Sequence, residues 1–374
     1  MISKKNNYHI NYYVEDIREY RVASHDIWNV EAMQRNKYLK LDWNESTIQP
    51  SPSVHDAISK LVSEGNFFNL YPATENSCLT SLIAKYVDIP IDYVQYFASS
   101  DSMQEYICHS FLDVNSRVLI LSPSYDNFRL TAESCGAEVI YSDMDKNFCF
   151  DQHLFEEDID NYNPGLVYIC NPNNPTGIQH SKDYIEHLLN QYPRILFLID
   201  EAYWEFSGIT VKDLTKKFNN ILICRTFSKA FGLANFRIGY LISNPINIKL
   251  INKIRNPKNI TTFAQVAAEA ALKDVDYMWM YVEEVKKARR YLINELADYR
   301  EIGRVFESSG NFVMFEFNNE EYKKTVVERL KSNNIFIREL TQRPSVTRCI
   351  RISVGNTSQM KCFVEEFNGV LKND

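Results

Sequence analysis

Short, mostly apolar runs separated by stretches long enough for a helix set the tightest limit on how this chain can fold. Between about residues 90 and 245 they recur at 118–121, 137–141, 166–170, 195–199, 221–224 and 238–242. Runs of this length without polar alternation read as strands buried on both faces. Joined by helix-sized connections, they predict an α/β fold whose mainly parallel sheet is covered by helices. Ligands of open α/β sheets bind beyond the carboxyl ends of the strands, so the residues following each run are the first place to look for chemistry.

Three runs end in such residues. Asn171-Pro172-Asn173-Asn174-Pro175-Thr176-Gly177 follows the first, Asp200-Glu201-Ala202-Tyr203 the second, and Thr226-Phe227-Ser228-Lys229 the third, with Arg237 eight positions past the lysine. An amine just beyond a strand end is partly desolvated, sheds its proton more readily and can attack a carbonyl to form a Schiff base. Each piece alone has a plainer reading. Asn-Pro turns are common, a strand-end aspartate can cap a helix, and a single lysine in a loop is usually a surface charge. The three together, in this order and spacing, outweigh those readings.

The trio resembles the fold-type I pyridoxal-phosphate enzymes, the aspartate aminotransferase superfamily. Within it the chain is most similar to histidinol-phosphate aminotransferases, from Leu41-Asp42-Trp43-Asn44-Glu45 to Ile350-Arg351-Ile352-Ser353-Val354-Gly355. Two departures are visible. Ser46-Thr47-Ile48 replaces the usual proline and aromatic after Asn-Glu, at the substrate entrance, and Ser99-Ser100-Asp101-Ser102 replaces Gly-Ser-Asp-Glu.

The resemblance implies a role for each motif residue. Lys229 would join the cofactor and carry a proton between substrate and cofactor, Asp200 would hold the ring nitrogen, and Tyr203 and Asn174 the ring oxygen. Arg237 suits the cofactor phosphate, because a guanidinium makes paired, charge-assisted bonds to such an anion. Ser228 would add a hydroxyl, and Ser100, Asp101 and Ser102 the backbone N–H groups of a helix start, although Ser-Asp-Ser alone reads as a cap. Tyr125, one of 23 tyrosines, falls where an aromatic stacks on the ring. Tyr71, in Leu70-Tyr71-Pro72, would reach the phosphate of a neighbouring subunit, which implies a homodimer. Arg338 and Arg351, thirteen apart, would meet substrate anions.

The activity implied is transamination of a small phosphorylated amine or amino alcohol, with a donor such as glutamate. Decarboxylation of a phosphorylated amino acid is the alternative, since such enzymes share the lysine and arginines. A module that merely binds the cofactor would not need a reactive lysine. The resemblance also implies a large cofactor-binding domain at 46–262 and a small domain from 1–45 and 263–374. Its own texture reads as α+β: an alanine-rich helix at 262–272, and a longer one bearing Met278, Val282, Val285, Ala288, Leu292 and Leu296 at helical spacing. Strands at 311–317, 335–338 and 349–353 and helices at 322–331 and 358–371 follow. The cluster Lys286-Lys287-Arg289-Arg290 has Glu283 and Glu284 one turn earlier and reads as a solvated, paired face.

Composition narrows the remaining classes. A net charge of −7 argues against a general nucleic-acid or anionic-membrane surface. No run approaches the ~20 apolar residues of a membrane span. The first residues reach Asp16, Arg18 and Glu19 without an apolar stretch of signal-peptide length. Eight scattered cysteines without a Cys-x-x-Cys pair suit reduced thiols in a cytoplasmic protein. Seven histidines without ligand spacing predict no metal site.

Overall fold

The computed structural model describes residues 11–15, 17–19, 25–341 and 343–371. A first strand, β1 (Leu39–Leu41), is followed by seven that form one sheet: β2 (Val94–Phe97), β3 (Arg117–Ser122), β4 (Glu138–Asp143), β5 (Leu166–Cys170), β6 (Leu196–Asp200), β7 (Ile221–Thr226) and β8 (Gly239–Ser243). Their order is β2-β8-β7-β6-β5-β3-β4. β8 runs antiparallel to both neighbours, and every other pairing is parallel. The expected mainly parallel α/β sheet is present. β5, β7 and β8 are buried at every position, which is why their sequences lack alternation.

A second sheet gathers β1 with β9 (Gly303–Val305), β10 (Phe312–Phe317), β11 (Ile335–Glu339) and β12 (Cys349–Ser353), in the order β1-β11-β12-β10-β9. β1 lies parallel to β11 and the remaining pairs are antiparallel. The helices Val275–Leu296 and Thr357–Leu371 pack together, and Glu320–Ser332 packs on β11. The expected helices and strands of this region recur within two residues of their bounds. The helix Thr262–Lys273 packs instead on Pro52–Glu64 and Ser77–Val87. Residues Tyr12–Glu15 contact the helix Asn127–Ser134, while 1–10, 16 and 20–24 lie outside the described residues.

Ser100-Asp101-Ser102 is not a cap. It forms the first turn of the helix Ser99–Phe111, preceded by Ala98, which makes no side-chain cap bond. Ser99 sits at φ 87°, and its hydroxyl accepts the Ser102 N–H at 3.2 Å. β8 passes so close to this helix start that a Cβ on Gly239 would lie 2.7 Å from the Arg225 carbonyl oxygen and 3.0 Å from the Ser100 nitrogen. Only glycine permits that approach.

Behind the strand ends lies a fully buried ion pair. Arg225 of β7 donates through Nε to Glu201 Oε2 at 2.9 Å, with neither side chain exposed. Thr210 Oγ1 and the Val211 N–H also donate to Glu201, at 2.8 and 2.7 Å, and the guanidinium lies 4.0 Å from the Trp204 ring centre. Removing one member of such a pair strands a buried charge. Arg225→Met should therefore cost about 3–5 kcal/mol in denaturant unfolding, and adding Glu201→Leu should recover much of the loss.

Candidate active site

The carboxyl ends of β5, β6 and β7 bring Asn174, Asp200, Tyr203, Ser228 and Lys229 onto two adjoining cavities. One, of about 510 Å³, is lined by Ser100, Asp101, Asp200, Ser228 and Arg237, among others. The other, of about 370 Å³, reaches Asn174, Arg338 and Arg351. Trp43, Asp101, Tyr125, Tyr203 and Lys229 line both. Of the residues expected from sequence, Ser102 and Tyr71 line neither. The Ser102 N–H is engaged by Ser99, and Tyr71 is 82% exposed with the Lys258 amine 5.4 Å from its ring centre.

Lys229 Nζ donates to the Trp43 carbonyl at 3.1 Å and stands 5.7 Å from the centre of the Tyr203 ring. Burial, and then the nearby Arg351 charge, lower its pKa from 10.5 to about 8. Asp200, at the end of β6, accepts from Tyr168 Oη at 2.8 Å, Gln104 Nε2 at 3.1 Å and the Ala202 N–H at 3.1 Å. All three donors are neutral. Burial outweighs them and raises the carboxyl to about 6.

Tyr203 joins the two sheets. Its hydroxyl accepts from Asn174 Nδ2 at 3.3 Å and from Asn44 Nδ2 at 3.2 Å, and its ring meets Phe312 of β10 edge-on. Burial pushes the phenol up. Asn44 is held at φ 54° by the second sheet and its approach: its N–H donates to Ser353 Oγ at 2.8 Å, and Asn311 Nδ2 donates to its carbonyl at 3.1 Å. On the other side, Arg351 Nη1 donates to Asn174 Oδ1 at 2.7 Å and Nη2 to the Asp42 carbonyl at 2.8 Å. Arg338 lies directly opposite Arg351 in the β11–β12 register.

Arg237, at φ 51°, donates to Asp101 Oδ2 at 3.0 Å. Asp101 Oδ1 takes Tyr125 Oη at 3.1 Å and Asn127 Nδ2 at 3.2 Å. Asp101 thus tethers Arg237 and Tyr125 to the helix start, a side-chain function that sequence reading did not assign. Sequence reading also passed over Gln104, Tyr168, Trp43 and Asn44 as site residues. Asn44 and Trp43 lay inside a quoted motif, whereas nothing local marks Gln104 or Tyr168.

Residues 36–367 match the family model for aminotransferase class I and II. The chain belongs to that family. It is 41% identical over 362 residues to a dihydroxyacetone phosphate transaminase of Campylobacter jejuni, covering 96% of each chain. It is 30% identical to a histidinol-phosphate aminotransferase of Ruminiclostridium cellulolyticum, over 91% of this chain and 95% of that one. The crystal structure of histidinol-phosphate aminotransferase from Sinorhizobium meliloti with pyridoxal-5'-phosphate superposes with a TM-score of 0.86 at 24% identity, covering 99% of this chain and 100% of that one. The fold is therefore fold-type I, and the protein is an aminotransferase using pyridoxal 5'-phosphate.

The residues present fit that cofactor. They offer an amine able to shed its proton and a buried carboxylate whose partners are all neutral. They also offer the Arg237 guanidinium beside the start of the helix Ser99–Phe111. Among the described residues no cluster could hold a metal ion, and no helix is long and apolar enough to cross a membrane. All eight cysteines are free.

The lowered pKa of Lys229 has a direct test. Below pH 8 its reactive, uncharged fraction falls about tenfold per unit; above, it saturates. Labelling of Lys229 by an amine-acylating reagent in the cofactor-free protein, followed by peptide mass, should be half-maximal near pH 8. An ordinary exposed lysine should still be rising at pH 10.

Proposed function

We propose that this enzyme transfers an amino group between an amino donor such as glutamate and a small phosphorylated ketone of the dihydroxyacetone phosphate class. The observation that carries this reading is the facing pair Arg338 and Arg351 on the wall of the cavity that Lys229 lines. Facing cations favour an anion between them, and a phosphate accepts two guanidinium forks. The 41% identical relative named above supports the three-carbon class.

When bound, pyridoxal phosphate supplies the carbonyl that accepts the amino group and the ring that stores electrons. The chain does the rest. Lys229, buried and readily deprotonated, would move a proton between the substrate carbon and the cofactor side. Asp200 would hold a proton on the ring nitrogen, and a cationic N–H there would supply the charge its neutral partners lack. Tyr203 and Asn174 would hold the ring oxygen, and Tyr125 would serve as the ring's aromatic neighbour. Arg237, Ser228 and the N–H groups of Ser100 and Asp101 would hold the phosphate, with Ser102 behind them. Arg351 and Arg338 would hold the substrate's anion.

The same reading includes a cytoplasmic homodimer. Phe68, Leu70 and Tyr71 form an exposed apolar stretch at 67%, 62% and 82%, suited to burial against a second copy. It also includes the division into 46–262 and 1–45 with 263–374. The packing of Thr262–Lys273 on Pro52–Glu64 and Ser77–Val87 favours keeping this helix with the large domain.

Stoichiometric loaded enzyme mixed with glutamate or a phosphorylated three-carbon amine should convert its cofactor to pyridoxamine phosphate without releasing carbon dioxide. Stoichiometric carbon dioxide from a phosphorylated amino acid would replace transamination by decarboxylation. If Tyr71 serves the partner's site, inactive Tyr71→Ala and Lys229→Ala parents reassembled into heterodimers should regain up to half the activity per dimer. Verified heterodimers that stay inactive would remove Tyr71 from the shared site.

A further inference from the structure

Two amides meet at the Tyr203 hydroxyl, and the chemistry of their own partners fixes which way each one faces. Arg351 Nη1 lies 2.7 Å from Asn174 Oδ1. A guanidinium has donors and no acceptor, so the Asn174 oxygen must face it and the Asn174 NH2 must face the phenol. Asn44 is fixed by Ser353. That hydroxyl accepts the Asn44 backbone N–H at 2.8 Å and donates to Asn44 Oδ1 at 3.1 Å. Reversing the amide would deprive the buried Ser353 proton of its acceptor. The Asn44 NH2 therefore also faces the phenol, at 3.2 Å.

A phenol oxygen that receives two N–H bonds cannot spend its own proton on either amide. Burial raises the Tyr203 pKa, so that proton is present. Tyr203 lines both cavities, and among the described residues nothing accepts from its hydroxyl. Each N–H that the oxygen accepts also strengthens its O–H as a donor, because linked hydrogen bonds polarise one another. A phenol O–H keeps to the plane of its ring and has two positions there. A donor occupying one side leaves the proton the other.

We propose that Asn44 is a positioning residue for Tyr203: its NH2 occupies the phenol oxygen, so that the O–H is donated to the ring oxygen of the cofactor and not to the protein. This rests on the assignment of Tyr203 to that oxygen in the proposed function, and it holds for transamination and decarboxylation alike. It gives the second sheet a part in tuning the cofactor, since Asn44 is held by Ser353 of β12 and by Asn311.

The test is the absorbance of the holoenzyme without substrate, titrated with pH. The visible band follows the proton on the nitrogen that joins the cofactor to Lys229. A hydrogen bond donated to the neighbouring anionic ring oxygen favours loss of that proton, so weaker donation raises the midpoint. Tyr203→Phe, which removes the donor, should raise it by about one pH unit, a tenfold change in the equilibrium. Asn44→Gly, which suits the φ of 54°, should raise it by about half a pH unit. Added to Tyr203→Phe, it should raise it no further, because the group it positions is gone. The other groups that act on the phenol or on Lys229, namely Arg351, Asp200, Cys170, Glu45, Asp101 and Lys40, are the same in all four proteins. Shifts that add, or no shift from Asn44→Gly, overturn the proposal while Tyr203 keeps its role. If Asn44→Gly does not fold, Ser353→Ala, which releases the Asn44 oxygen, is read by the same two criteria. A Tyr203→Phe holoenzyme with the wild-type midpoint removes Tyr203 from the ring oxygen, and the inference falls with that part of the proposed function.

Discussion

The site depends on a charge pair that never touches substrate. Glu201 is the next residue after Asp200, and Arg225 lies four residues before Lys229. Their ion pair, closed off from solvent and braced by Thr210, Val211 and Trp204, fixes the ends of β6 and β7 relative to one another. A parallel pair of strands can be joined only through a long crossover, so the turn between them cannot set that alignment. The buried pair does it with directional bonds, at a desolvation cost that the surrounding hydrogen bonds offset.

The second sheet completes the site rather than flanking it. Asn44 leads out of β1, Arg351 sits on β12, and both reach residues that follow strands of the first sheet. Neither sheet alone sets Lys229 beside both Tyr203 and Arg351. The same closeness depresses the Lys229 pKa, because Arg351 adds to the effect of burial.

The fold was legible because parallel strands buried on both faces leave unmistakable apolar runs, and because Asp200, Asn174 and Lys229 follow them closely, with Arg237 eight residues past the lysine. Strands such as β1 and β9 were not legible. At three residues each they have no period to detect, and their existence is decided by the neighbours they pair with. Gln104 and Tyr168 stayed hidden for a related reason. Gln104 sits on a helix amid other polar residues, and Tyr168 reads as one more apolar strand residue. Their importance lies in what the tertiary structure sets beside them.

The chain of bonds from Arg351 through Asn174 to Tyr203 has one further consequence. An anion that drew the Arg351 Nη1 proton away from Asn174 Oδ1 would free that amide to reorient and change what it offers the phenol. A charge arriving at the wall of the cavity would then be felt at the Tyr203 end of the bond chain.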